Sequence, residues 1–213
     1  MKNKTYAVTG GCGFIGSNFF HYLMEGTDSD VLVIDSMTYA SNIDNIEDLL
    51  VATSGRCNHT STDIRIRKNL EHVFTGNDID TIFHFAAESH VDNSIDGPEV
   101  FVDTNVKGTL NILNCALKNK ISQVIVTSTS EVYGTAKKIP IFENHSLSAQ
   151  SPYAASKIAA DQLALSYNKS FGLPVTILRP FNCFGPRQSS RAIIPTIISQ
   201  MLESQTVKLG NLK

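Results

Sequence analysis

Five short apolar runs punctuate the chain: Tyr6–Val8, Val31–Ile34, Thr81–Phe85, Val124–Val126 and Val175–Leu178. Each is rich in β-branched residues and apolar at consecutive positions, the pattern of a parallel strand buried on both faces. Segments of helical period separate them. After Pro98, residues Val102, Val106, Leu110, Leu113 and Leu117 recur at steps of four, four, three and four, an amphipathic stripe. A second helix is predicted from Ser151-Pro152, with proline favourably placed in its first turn, to about Phe171 before Gly172. This alternation predicts an α/β fold, a doubly wound (Rossmann) parallel sheet with helices on both faces. The strand pattern is used up near Pro180. One domain is therefore expected over 1–182, and the start of a different, incomplete region over 183–213. That region is predicted to hold a helix near Ala192–Leu202 and a short strand near Thr206–Leu209.

Composition narrows the class. Of 213 residues 42% are apolar and 18% charged, which supports a packed core. The net charge of -2, with both signs scattered, gives no electrostatic footprint for nucleic acid or a membrane surface. No run approaches the ~20 apolar residues needed to cross a bilayer. The opening MKNKTYAVTGG runs straight into a strand and lacks the apolar segment of a secretory signal. Cys12, Cys57, Cys115 and Cys183 stand far apart with no C-x-x-C pair, so they read as free thiols in a reducing compartment. No cluster has the spacing of a metal site. A soluble cytoplasmic protein is expected.

The stretch TGGCGFIGSN carries Gly10, Gly13 and Gly16 in a G-x-x-G-x-x-G array. Glycines permit a tight strand-to-helix turn and close approach of backbone to a pyrophosphate, while the helix N-terminus offers free N–H groups. A glycine triplet alone is a weak signal and could be a structural turn. Here it follows the first strand directly and opens an apolar helix (Phe14, Ile15, Phe19, Phe20, Leu23), the context the motif requires. About twenty residues on, the second strand ends in Asp35. A carboxylate there accepts ribose hydroxyls and repels a 2′-phosphate, and no Arg or Lys follows immediately, so NAD is expected rather than NADP. Asp63 and Ile64, after a third strand, could reach the adenine; a simple turn is almost as good a reading of that pair.

Tyr153 and Lys157 stand four apart on the predicted second helix and share a face. An ammonium near a phenol lowers its pKa, which suits the phenol to exchange protons with a hydroxyl. A second Y-x-x-x-K, Tyr133 to Lys137, is interrupted at once by Gly134, which disfavours a helix, so the first pair is preferred. In the run TSTSEVYG (127–134), Ser128 and Thr129 could simply cap a strand end, and Glu131 could be a solvated loop residue.

Together, Gly10, Gly13, Gly16, Asp35, Ser128-Thr129 and Tyr153-x-x-x-Lys157 resemble the extended short-chain dehydrogenase/reductase family, over essentially the whole chain. HFAAESHVDNSI (84–95), TSTSEVYG, SPYAASKIAADQLA (151–164) and RPFNCFGPRQSSRAIIPT (179–196) resemble the nucleotide-sugar 4,6-dehydratases. The last, with VKLGNL, is most similar to the N-acetylglucosamine nucleotide 4,6-dehydratases of legionaminic acid biosynthesis. The resemblance implies a lyase cycle that regenerates NAD. Tyr153 takes the C4 hydroxyl proton as hydride passes from C4 to NAD. A carboxylate removes the acidified C5 proton, the C6 hydroxyl leaves, and hydride returns to C6, giving a 4-keto-6-deoxy sugar. It implies that Thr129 bonds the C4 oxygen, Glu131 takes the C5 proton and Lys157 holds the nicotinamide ribose. Phe14, Ile15 and Ala86 join the cofactor-binding set, Ser128 and Asn182 face the substrate, and Arg187 lies near its nucleotide end. Asn105 and Ser128 would help order the site. The dTDP-glucose type carries Asp before the Glu as acid for the leaving hydroxyl. Here the residue is Ser130, as in the GDP-mannose type, so Glu131 or a water relay must return that proton.

His84, alternating with apolar neighbours, reads as a core histidine, and His90 as a residue that orders the loop near the cofactor. Three other functions compete: a UDP-glucuronate decarboxylase with a similar Thr-Ser-Glu run, a 4-epimerase, which needs no carboxylate over C5, and a catalytically silent NAD-binding module. The last gains weight because family members usually continue for about another hundred residues, so the chain is expected to be a truncated cofactor domain. The stripe after Pro98 and the helix after Pro152 resemble the pair that builds a four-helix homodimer interface in this family, although either could pack on the sheet.

Overall fold

The computed structural model describes residues 4–53, 55–204 and 206–207. Six parallel strands form one sheet: β1 (Thr5–Thr9), β2 (Asp30–Asp35), β3 (Cys57–Ser61), β4 (Thr81–His84), β5 (Gln123–Thr127) and β6 (Val175–Leu178). Their order is β3-β2-β1-β4-β5-β6, the doubly wound arrangement that the strand–helix alternation predicts. The chain reverses its direction of winding between β1 and β4, and ligands of such sheets bind at the carboxyl ends beside that point. All five apolar runs are strands. The sixth, β3, has the sequence CNHTS and pairs only with β2, from Val31↔Cys57 to Asp35↔Ser61. An edge strand exposes its outer side, so it can be polar and carries no apolar run.

Alternation along the central strands divides the core. Ala7, Leu32, Ile34, Ile82 and Val124 point to one face, where they pack with Leu70, Ile112 and Leu113 from helices α3 (Arg67–Thr75) and α6 (Thr109–Lys118). Val8, Val31 and Val33 point to the other and pack with Phe20, Leu23 and Met24 of α1 (Phe14–Gly26). Ile46, at the start of the short helix α2 (Glu47–Ala52), closes that second cluster.

Helix α7 (Pro152–Phe171) begins and ends as its sequence dictates. The Ser151 hydroxyl accepts from the Ala154 N–H, Pro152 occupies the first turn, and Gly172 closes the helix in the left-handed region at φ 69°. The segment after Pro98 departs from a single regular helix. Beyond α4 (Val91–Asp96), helix α5 (Pro98–Phe101) passes through a π-helical stretch (Val102–Gly108) into α6. The wider π turn re-aims the side chains, so the first part of the expected stripe is not the buried face: Val102 is 55% exposed and Val106 and Leu110 are half-buried, while Phe101, Asn105 and Thr109 face inward; Leu113, beyond the π turn, is buried in the core as expected.

Beyond β6, residues 179–192 run across the carboxyl ends of the strands to α8 (Ile193–Ser204), close to the helix expected over Ala192–Leu202. Of the short strand expected near Thr206–Leu209, Thr206 and Val207 are irregular and the rest lies outside the described residues. Among the described residues no helix is long and apolar enough to cross a membrane, and no group of His, Cys, Asp and Glu could hold a metal ion. Cys12, Cys57, Cys115 and Cys183 are all free thiols.

Candidate active site

A cleft of about 910 Å³ opens along the carboxyl ends of the strands, large enough for a dinucleotide end and a second ligand. One end is the glycine cradle. Gly10 sits at φ 68°, and a Cβ on it would meet the Ala86 backbone nitrogen at 2.6 Å. A Cβ on Gly16 would strike the Gly10 carbonyl, so the turn closes only with glycine at both positions. Phe14, at the first position of α1, Ile15 and Gly13 line the cleft beside them. The backbone is thus free to approach a pyrophosphate, which is the fit that a dinucleotide requires.

Asp35, at the end of β2, fastens this cradle. Its carboxylate accepts from the Cys12 N–H (3.0 Å), the Met37 N–H (2.9 Å) and the Ser41 hydroxyl (2.6 Å). A carboxylate offers about four acceptor positions, so one remains for a ribose hydroxyl. Asp63 and Ile64 both border the cleft but divide in role. Arg65 grips the Asp63 carboxylate through its side chain at 2.7–3.1 Å and through its backbone N–H at 2.8 Å. Burial pushes that carboxyl up, but the Arg65 hydrogen bonds and charge outweigh it and hold Asp63 below the ordinary carboxylate range. Ile64 is buried in the core, and its carbonyl accepts from Asn111 (2.8 Å).

The other end gathers the reacting groups. Thr129 caps a 3-10 turn over Ser130–Tyr133, its hydroxyl accepting from the Glu131 N–H (3.2 Å). Glu131 is exposed at the cleft, and Tyr153, in the first turn of α7, is buried with its ring edge-on to Phe101. Lys157 is buried below and donates to the Thr127 carbonyl at 2.6 Å. Burial drives the Lys157 ammonium down to about 8, with Asp161 opposing. The expectation that Lys157 would lower the Tyr153 phenol is not met. Burial raises the phenol, the Thr129 hydroxyl pulls against it, and the Glu131 charge raises it further. The physical reason is that Lys157 spends its short hydrogen bond on Thr127, whereas Glu131 stands near enough to repel a phenolate. Glu131 and Tyr153 both border the cleft. Ser128 and Thr127 contribute buried hydroxyl oxygens to the cleft with no hydrogen-bond partner among the described residues.

Of the remaining expected residues, Ser130 lines the cleft, and its N–H donates to the Pro180 carbonyl (3.0 Å). Ala86 lines it with its N–H donating to the Thr9 hydroxyl (3.3 Å). Asn182 and Arg187 lie on the crossing segment, and Arg187 has a positive φ of 65° and a buried Nε without a partner. The second Y-x-x-x-K pair does not share a helical face: Tyr133 ends the 3-10 turn, and the Lys137 N–H donates to His145.

Order in the cleft comes from polar residues of α6 and the π segment. Asn105 accepts from the Glu88 N–H and donates to the Glu88 carbonyl, each at 2.9 Å, and also donates to the Ser156 hydroxyl (2.9 Å) on the helix of Tyr153. Asn105, rather than the exposed His90 side chain, therefore fastens the loop after β4. His84 is a buried core residue bonded to Thr9 and Thr109. Asn111, Asp161 and Arg179 escaped the sequence reading. Asp161 carried a usable signal, because it lies four residues after Lys157, the spacing that singled out Tyr153.

Comparison with known proteins decides the family. The profile described as GDP-mannose 4,6 dehydratase matches residues 7–213. The chain belongs to this GDP-mannose 4,6-dehydratase family. This family member is 42% identical to the low-salt glycan biosynthesis protein Agl12 of Haloferax volcanii, over 94% of its own length and 63% of that protein's. Its structure is similar to DesIV, a dTDP-glucose 4,6-dehydratase of Streptomyces venezuelae solved with NAD and TYD bound, with a TM-score of 0.87 and 41% identity. That match covers 93% of this chain and 62% of DesIV. It is also similar to a UDP-N-acetylglucosamine 4-epimerase of Methanobrevibacter ruminantium, with a TM-score of 0.85 and 33% identity, over 95% of this chain and 64% of the epimerase. The family member thus spans somewhat under two thirds of the length of the relatives it matches.

Proposed function

We propose that this protein carries the cofactor and reaction half of an NAD-dependent nucleotide-sugar 4,6-dehydratase. Its sugar would be of the UDP- or GDP-N-acetylglucosamine or dTDP-glucose type, and its product the 4-keto-6-deoxy sugar. The observation that carries this reading is that the Glu131 carboxylate, the Thr129 hydroxyl and the Tyr153 phenol border one cleft, where the Glu131 charge raises the phenol. A 4-epimerase needs the phenol but no carboxylate at the neighbouring carbon.

Gly10, Gly13, Phe14, Ile15 and Gly16 would hold the pyrophosphate, Asp35 the adenosine ribose, and Asp63, Ile64 and Ala86 the adenine side and the cleft floor. Lys157 would hold the nicotinamide ribose. When bound, the oxidised nicotinamide supplies a hydride acceptor and a positive charge that favours the phenolate. Tyr153 takes the proton of the C4 hydroxyl, whose oxygen Thr129 orients. Glu131 removes the C5 proton, acidified by the neighbouring ketone. Ser130 is a poor acid, so Glu131 returns its proton to the departing C6 hydroxyl, directly or through water. Ser128 bonds the sugar with its free buried hydroxyl, Asn182 contacts the diphosphate, and Arg187 faces the nucleotide end. The domain of residues 1–182 would bind the cofactor, with 183–213 beginning the substrate side. A homodimer through the outward faces of α5–α6 and α7, in the cytoplasm, completes the reading.

Incubation with NAD and dTDP-glucose, or with UDP- or GDP-N-acetylglucosamine, followed by mass spectrometry, tests the reaction. Loss of one water is expected. Loss of carbon dioxide from UDP-glucuronate would identify a decarboxylase, and an unchanged mass with inverted C4 an epimerase. No change with NAD retained would identify a silent module. Glu131→Gln is expected to stop exchange of the C5 proton with solvent while leaving NAD affinity intact; normal turnover would remove Glu131 from the mechanism.

A further inference from the structure

Behind the reacting groups lies a buried ionic chain that the proposed reaction does not use. Asp161, fully buried on α7, accepts from Arg179 Nε at 3.0 Å. Its other carboxylate oxygen is buried without a hydrogen-bond partner. Arg179 also donates to the Tyr133 hydroxyl (3.0 Å) and the Glu143 carbonyl (3.3 Å), and its guanidinium stacks 5.2 Å from the Tyr133 ring centre. The neighbours of Arg179 hold the same turn from below: the Leu178 carbonyl accepts from the Ser128 N–H and the Pro180 carbonyl from the Ser130 N–H. One three-residue span therefore grips the strand end, the turn of Glu131 and the helix of Lys157.

A buried ion pair recovers its desolvation cost poorly, and a well-packed apolar pair of similar volume is often as stable. Its position is more informative. Asp161 lies one helical turn below Lys157, on the same face. The groups that act on the Lys157 ammonium are Asp161 on its own helix, the Thr127 carbonyl on β5 and the buried His84 on β4, with Arg179 bonded to Asp161 from behind; Tyr153 stands one turn before Lys157 on α7, and Glu131 acts on Tyr153. Among the described residues Asp161 is thus the anion that acts on this deeply buried ammonium, and Arg179 moderates it.

We propose that Asp161 and Arg179 are positioning residues for the reaction. Asp161 is the counter-ion that keeps Lys157 protonated in its buried setting, and Arg179, through Tyr133, sets the turn that presents Glu131 to the same cleft. The inference rests on the reading of Tyr153, Lys157 and Glu131 as the reacting groups, but its first test needs no turnover.

The full chain is labelled at lysine, and the Lys157 side-chain resonance, assigned by its loss in Lys157→Arg, is titrated by NMR. Asp161→Asn is expected to lower the Lys157 midpoint by about one to three pH units. Arg179→Gln is expected to raise it, because a competing cation is gone. A pair that merely staples the fold would leave the midpoint in place, or move it the same way in both variants, and either result overturns the counter-ion role. Because Asp161→Asn can fail to fold, Arg179→Gln and Tyr133→Phe stand independently. Tyr133→Phe keeps the ring and is expected to leave the Lys157 midpoint unchanged. It should lower kcat about ten- to a hundredfold without weakening NAD binding; unchanged kcat overturns the link to Glu131. If no sugar nucleotide is turned over by the wild-type chain, the proposed reaction fails, while the opposite shifts of Lys157 still decide the counter-ion.

Discussion

Held between Thr9 (2.7 Å) and Thr109 (3.1 Å), His84 has both ring nitrogens engaged, and burial, helped by the Lys157 charge, drives its pKa down to about 3. The unfolded chain takes up a proton on this ring near pH 6.5, and the folded chain does so only near 3. Stability contributed by His84 is therefore present above about 6.5 and is lost as pH falls through that window. His84→Gln should flatten the pH dependence of the urea midpoint between those values, and an unaltered slope would contradict the assignment. Lys157 acts with the same sign at higher pH. Its ammonium is depressed from 10.5 to about 8, so the unfolded state binds more protons between these values and stability rises with pH across them. The proposed chemistry needs the ammonium, so kcat should fall as pH rises through about 8 while the urea midpoint does not fall with it. Tyr153→Phe removes the proton acceptor and should cost at least about a hundredfold in kcat, with NAD affinity unchanged in a fluorescence titration. The residue types proposed for this chemistry were legible in the sequence because the glycine array, Asp35, Glu131, Tyr153 and Lys157 lie in short motifs. Their electrostatic environment was not. The raised Tyr153 phenol and the Asp161 counter-charge depend on burial, and on Arg179, which is eighteen residues further along the chain.

Helix α7 was legible almost to the residue, because its ends are written in local chemistry: the Ser151 cap, Pro152 in the first turn and Gly172 in the left-handed region. A Cβ on Gly172 would meet nothing within 4 Å, so Gly172→Ala isolates the backbone cost. It should destabilise the chain by about 1 kcal/mol, read as a lower urea midpoint with unchanged slope. The segment after Pro98 was misread for the opposite reason. A stripe of Val and Leu at helical spacing signals a buried face only while the period holds, and the π stretch over Val102–Gly108 breaks it. The inward positions are then taken by Asn105 and Thr109, whose side chains bond the loop after β4 and His84. Polar groups can occupy a helix's core side when each has a defined partner, and those partners come from remote parts of the chain. Strand β3, expected just before Asp63, carries no apolar run of its own, because at the sheet edge CNHTS needs no apolar pattern to pair with β2.

At the scale of the whole molecule, the doubly wound parallel sheet follows from the alternation of strand and helix and was legible; its strand order and the cleft at its carboxyl ends come from the structure. The crossing of residues 179–192 over the strand ends was legible only as a change of pattern, because what fixes it is tertiary: Asn18 donates to the Pro186 carbonyl (2.9 Å), and Arg191 stacks 5.9 Å from the Tyr39 ring centre. The same scale holds the remaining apolar surface. The displaced stripe leaves Val102 at 55% exposure, and on the neighbouring helix α7 Leu165 is 37% exposed, so two adjacent helices present apolar side chains outward. Two such faces, related by a two-fold axis, would bury each other as a four-helix interface. Val106→Glu places a charge in the half-buried part of this face without touching the cleft. Sedimentation velocity should show a dimer for the wild-type chain and a monomer for the variant, with the glycine cradle still binding NAD. The same sedimentation coefficient for both proteins would refute the interface, and loss of NAD binding in a folded monomer would mean that the cradle itself depends on the partner.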